Sequence, residues 1–234
     1  GATCSIRDSI AYCWGDNQAG QLGDGTTTNR WTPTQVADLT GVTSIATGGP
    51  NSCAIAGGGV AYCWGGNNDY GQVGDGTTTS RWKPTQVADL ADVTAISTAN
   101  WTTCAISAGV AYCWGGSNDH DQVGDGTTAN QYRPVRVPGL EDVTSISVGV
   151  NFTCAVAGGD TYCWGLNDNG QIGDGTTYNR PKPPGWRPRQ CDDGVGRHAG
   201  RLCHRRRKRI LLGGQQRLRA TRRRHEGFSY HRDA

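Results

Sequence analysis

The side chains best suited to chemistry in this chain are its cysteines. Ten occur in 234 residues, and eight fall into four pairs: Cys4 with Cys13, Cys53 with Cys63, Cys104 with Cys113, and Cys154 with Cys163. The second member of each pair recurs every 50 residues. Such regular pairing favours structural disulfides and an oxidising compartment. The other reading is reduced, buried cysteines acting as small apolar groups. No two cysteines have the CxxC spacing of a zinc site. Gly-Asp-Gly stands at 23–25, 74–76, 124–126 and 173–175, which invites a calcium reading. An EF-hand loop needs oxygen ligands at alternate positions and a closing Glu. Before Gly170 those positions hold Gly165, Asn167 and Asn169, and no Glu follows. The motif therefore reads as a turn: Gly supplies positive φ and Asp bonds the backbone two residues on. Asn100-Trp101-Thr102 and Asn151-Phe152-Thr153 match the glycosylation acceptor pattern, and a repeated turn preference explains both. His120 is the only histidine in residues 1–183, with no matched nucleophile. No catalytic residue, metal ligand or cofactor is expected.

Recognition chemistry is easier to place. After each second cysteine comes Trp-Gly and then a polar loop, and one loop residue varies: Ala19, Tyr70, His120 and Asn169. Trp31, Trp82 and Tyr132 follow the loop in three repeats. Variable residues on a constant frame are a usual place for recognition, and aromatic ones are favoured anchors. The candidate binding residues are Trp31, Tyr70, Trp82, His120 and Tyr132. The competing reading is variation on a solvated loop.

These residues must be held by strands. In the second unit, residues 41–46 alternate apolar and polar, as a half-buried strand does. Residues 52–56 and 60–64 read as two more strands around Gly57-Gly58-Gly59. A weaker fourth strand is expected to start at Pro84 and run to 88. In the last unit a two-residue turn at Gly158-Gly159 sets Ala157 opposite Asp160. Cys154 then faces Cys163 at a non-hydrogen-bonded site, where Cα atoms approach most closely. The same register serves Cys4/Cys13 and Cys104/Cys113. Cys53/Cys63 needs a three-residue loop. Four short strands per 50 residues describe one propeller blade.

The formal charge of +3 hides an asymmetry. Residues 1–183 carry 8 Lys and Arg against 16 Asp and Glu, whereas 184–234 carry 15 against 4. The repeat pattern stops after Pro183. Back-translated and moved one nucleotide forward, residues 210–224 can spell Tyr-Cys-Trp-Gly-Gly-Asn-Asn-Val-Tyr-Gly-Gln-Leu-Gly-Asp-Gly, which is the repeat signature. The same shift recovers first-strand and second-strand patterns from 190–198 and 201–204. Residues 184–234 are therefore read as a fifth blade out of frame, giving a disordered basic tail in which Cys191 and Cys203 have no designed partners. The chain opens inside a repeat and is read as a fragment. No apolar run is long enough for a membrane helix.

Trp-Gly-x-Asn-x-x-Gly-Gln-Leu-Gly resembles the signature of the regulator of chromosome condensation family. It stands at 14–23 and 164–173, and with one extra residue at 64–74 and 114–124, where Asp121 replaces the first loop Gly. The resemblance covers residues 1–183 and implies an all-β, partial β-propeller of about four four-stranded blades. It is similar to a secreted bacterial branch of the family. That implies a non-catalytic extracellular or cell-surface scaffold binding a protein or glycan. The expected partners also include further blades of a parent chain, but no specific nucleic acid and no membrane insertion. The founding member implies the alternative, guanine-nucleotide exchange on a small GTPase.

Overall fold

A computed structural model of the chain describes residues 1–66 and 68–183. It is all-β, with four antiparallel sheets, one per repeat. The first sheet holds β1 (Ala2–Arg7), β2 (Ile10–Gly15) and β3 (Arg30–Gln35). The second holds β4 (Ser44–Gly48), β5 (Asn51–Ala56), β6 (Val60–Gly65) and β7 (Arg81–Gln86). The third holds β8 (Val93–Ala99), β9 (Thr102–Ser107), β10 (Val110–Gly115) and β11 (Gln131–Arg136). The fourth holds β12 (Val143–Val148), β13 (Phe152–Ala157) and β14 (Asp160–Gly165). Each is a simple meander, and together they form a partial propeller. Residues 184–234, with the out-of-frame reading and Cys191 and Cys203, lie outside the described residues.

Two of the four expected four-stranded blades have three strands among the described residues. In the last repeat the fourth strand is reduced to one bridge, Gly165 to Arg180. Pro181 follows at the position held elsewhere by Trp31, Trp82 and Tyr132, and a proline there cannot donate to a ladder. A second correction concerns the start of the outer strand. β7 begins at Arg81 and carries Pro84 inside it. Cys63 pairs with Thr85 and Gly65 with Arg81, so three residues of β7 bulge past Trp64. An outer-edge bulge makes no demand on the missing proline N–H.

The hairpin register follows the sequence reading. Ala157 opposes Asp160 and Cys154 opposes Cys163. Asp8 and Ser9 both take positive φ, 50° and 60°, as a two-residue hairpin turn of right-handed twist requires. Ala56 opposes Val60, leaving Gly57, Gly58 and Gly59 as the three-residue loop.

The apolar core lies between repeats. One cluster joins Ala11, Cys13, Leu22 and Val36 of the first repeat to Ala54, Ala56 and Trp64 of the second. The next joins Cys53, Cys63 and Val73 to Ile96, Ala105 and Trp114. The third joins Cys104, Cys113 and Val123 to Ile146, Ala155 and Trp164. Each sheet is thus two-faced, and each face is complete only against a neighbour.

Candidate functional site

All eight repeat cysteines are paired as disulfides across β1–β2, β5–β6, β9–β10 and β13–β14. Their Cα atoms stand 4.2, 4.0, 4.1 and 4.1 Å apart, the close spacing of non-hydrogen-bonded antiparallel pairs. The bridges stiffen the hairpins from which the long loops spring.

Each loop is organised by one fully buried asparagine: Asn17, Asn68, Asn118 or Asn167. The Asn118 amide nitrogen donates to the carbonyls of Thr127 (2.7 Å) and Ala129 (2.9 Å). Its oxygen accepts from the Val123 N–H at 3.0 Å. The same three contacts recur at Asn17 and Asn68. The Gly-Asp-Gly carboxylates are engaged as well. Asp24 accepts from the Thr26 N–H and hydroxyl at 2.9 and 2.7 Å, and from Arg30 Nε at 2.7 Å. Burial opposes ionisation of Asp24 and Asp75, but bonds from Thr26 and Arg30, or Thr77 and Arg81, outweigh it and hold both below the usual carboxylate range. The hydroxyl of Thr176 and the guanidinium of Arg180 lower Asp174 to about 2. The motif is a turn closed by an arginine; in the third repeat Gln131 replaces that arginine and donates to Asp125 at 2.7 Å. Asn100 and Asn151 both occupy turns, with φ of 47° and 61°.

The structure does not gather the five candidate residues into one pocket; it distributes them along successive repeats. Tyr70 and His120 lie in short 3-10 turns, Asn68–Tyr70 and Asn118–His120, created by the extra loop residue of those two repeats. Trp82 packs on Gly20 of the preceding repeat, where a Cβ would stand 2.5 Å from the indole Cδ1. Tyr132 covers Gly71 in the same way. One ring face of each is therefore part of the frame. Trp31 is 85% exposed. Trp101, in the β8–β9 turn, was not among the sequence candidates. It meets Tyr70 edge to face with centroids 5.4 Å apart, across the junction of the second and third repeats. The available signal was an aromatic where the other turns hold Pro50 and Asn151.

Successive repeats are joined by a constant set of polar contacts. The indole N–H of Trp64, Trp114 and Trp164 donates to the backbone carbonyl of Gln21, Gln72 and Gln122 in the preceding loop, at 2.9, 3.0 and 3.1 Å. The hydroxyls of Ser52, Thr103 and Thr153 donate to the same carbonyls. The N–H of Gly25 and Gly76 donates back to the carbonyls of Trp82 and Tyr132, at 3.0 and 2.9 Å.

A series of such blades, joined through Trp-Gly loops, is an arc of a β-propeller. The regulator of chromosome condensation (RCC1) repeat matches residues 8–55, 58–106 and 108–156, and the chain belongs to that family. The human E3 ubiquitin-protein ligase HERC2 is 38% identical over 86 residues, covering 36% of this chain and 2% of HERC2. Among solved structures, human WBSCR16 superposes with a TM-score of 0.69 at 22% identity, covering 78% of this chain and 50% of that one. Prp20p of Saccharomyces cerevisiae, described with its binding to Gsp1p and histones, gives 0.64 at 23% identity over 74% of this chain and 45% of its own. These likenesses share the fold. The chain spans half or less of each of these proteins.

Proposed function

We propose that the chain is a non-catalytic binding scaffold, extracellular or displayed at a cell surface, that recognises a protein or glycan through its propeller loops. The observation carrying this reading is one disulfide in every repeat, set directly beneath the loops. Disulfides persist in oxidising compartments. The recognition surface would centre on Tyr70 and Trp101, with Trp31, Trp82, His120 and Tyr132 along the same series of loops. Residues 184–234 are assigned no role in it and are read as out of frame. The test is a thiol titration of unreduced protein followed by binding to immobilised glycans and secreted proteins. The eight repeat cysteines should give no reactive thiol, and Tyr70→Ala with Trp101→Ala should weaken whatever binding is found. Eight free thiols would sink the extracellular assignment. Likeness to Prp20p favours a second reading, guanine-nucleotide exchange on a small GTPase. Accelerated nucleotide release from a GTPase would establish it instead.

A further inference from the structure

Resting on the binding-scaffold reading, we propose that the corner between Tyr70 and Trp101 seats an arginine or lysine side chain of a protein partner. The ligand class at this place narrows from protein or glycan to a protein segment with exposed cations.

The corner is built at one junction. Its two ring positions hold Ala19 and Pro50 between the first and second repeats, and His120 and Asn151 between the third and fourth. Between the second and third they hold Tyr70 and Trp101, both half-buried, with centroids 5.4 Å apart and ring planes at 65°. Edge-to-face packing leaves more ring face open than stacking does. Described repeats flank this junction on both sides. Both rings are held from behind. A Cβ on Gly116 would stand 2.8 Å from the Tyr70 Cβ, so the third repeat closes against the base of that side chain. The turn that carries Trp101 rests on the second repeat, where a Cβ on Gly49 would lie 3.4 Å from the Asn100 Cα. Asn51, fully buried, reaches across with its amide oriented to donate to the carbonyls of Gly48 and Asn100 at 2.9 and 2.8 Å. The Gly116 N–H donates to the Trp101 carbonyl at 2.9 Å. Rings fixed in this way lose little freedom on binding.

Charge decides the ligand. Residues 31–80 and 84–132 contain no Lys or Arg. Arg81, Lys83 and Arg133 stand in the outer strands and are paired with Asp75, Asp38 and Asp89. Tyr70 directly follows Asp69, and Trp101 is bonded to the loop that carries Asp119. Both carboxylates are exposed and have no ion pair among the described residues. A cation over an aromatic face is attracted by the ring quadrupole, and carboxylates beside the ring add to that attraction. A neutral sugar gains nothing from the two charges, and an anionic one is repelled. Arginine suits the corner better than lysine, because its guanidinium is planar and stacks on a ring.

The test is fluorescence anisotropy of the full 234-residue oxidised chain with a dye-labelled peptide of alternating Gly and Arg. Gly–Lys and Gly–Glu peptides and a labelled neutral oligosaccharide are run beside it. The Gly–Arg peptide should bind, the Gly–Lys peptide more weakly, and the Gly–Glu peptide not at all. Trp101→Leu and Tyr70→Leu keep the net charge and remove a ring, and each should weaken Gly–Arg binding by about fivefold. Trp101→Phe should retain most of it. Asp69→Asn with Asp119→Asn, which disturbs no packed group, should weaken binding and flatten its dependence on salt. Gly–Arg binding that both Leu variants and the Asn pair leave unaltered would be attraction to the acidic repeats as a whole, and would overturn the proposal. Failure to bind the Gly–Arg peptide would overturn it too. If the oligosaccharide binds through the same rings instead, the scaffold reading stands without this ligand. Eight free thiols would remove the extracellular assignment and leave the peptide result untouched.

Discussion

The buried asparagines illustrate how much one side chain can hold. Asn118 satisfies two carbonyls and one N–H that have no ladder partner. An unsatisfied buried polar group costs about 1–3 kcal/mol. Asn118→Ala is therefore expected to lower stability by about 2 kcal/mol or more, read from urea unfolding of the oxidised protein. Asp121 behaves oppositely. It holds φ of 59° where the other repeats place glycine, and burial, aided by the charge of Asp125, raises its pKa. A raised acid favours the protonated fold, so its stabilising contribution is present at low pH and is lost as pH rises through the ordinary value toward the folded one. Asp121→Asn keeps the tolerance for positive φ and removes the charge. It should raise the melting temperature at neutral pH, and the gain should shrink below about pH 4 as the parent carboxyl protonates.

At the scale of the element, the loop and the hairpin beneath it are stabilised by different means. The disulfide closes a loop of nine or ten residues, and such closure contributes about 2–3 kcal/mol. Replacing Cys104 and Cys113 together by Ala should cost about that much in urea unfolding, with the other three bridges intact. The loops respond to acid. The folded pKa values of Asp24, Asp75 and Asp174 lie below the ordinary one, so their contribution is present above about pH 4 and is lost as pH falls through the folded values. For Asp174 that loss runs from about pH 4 down to the folded value of about 2. Arg81→Gln, which copies the Gln131 arrangement, should weaken the acid-sensitive part of the second loop's protection. Amide hydrogen exchange at Thr77 between pH 3 and pH 6, corrected for intrinsic rates, would show it.

For the whole molecule, stability is distributed between neighbours rather than within units. At each junction the buried tryptophan belongs to one repeat and packs with apolar side chains of the repeat before it. This explains why the Trp, Gly and Gln positions hardly vary: each belongs to an interface made three times over. The amino-acid sequence of residues 184–234 does not carry those positions, and its codons decide whether the repeat is read out of frame there. Accurate resequencing should show the repeat signature one base forward across residues 210–224. Codons that spell anything else would return the basic stretch to consideration as an evolved segment.

The local order of the molecule was legible in the amino acids. Period, cysteine spacing and turn residues specify a hairpin whose register is determined by counting from Gly158-Gly159 or Asp8-Ser9, because strand side chains alternate with a period of two. The Gly-Asp-Gly turns were equally readable, since Asp and the threonine two residues on bond locally. What needed the tertiary structure was everything between repeats. Trp82 and Tyr132 look like free recognition residues in the chain, yet each rests on a glycine about 60 residues earlier. Trp101 gains significance only when the next repeat brings it to Tyr70. Pairwise sequence patterns carry local bonding, but the contacts of a sheet face depend on how neighbouring sheets stack, which no period in the chain encodes.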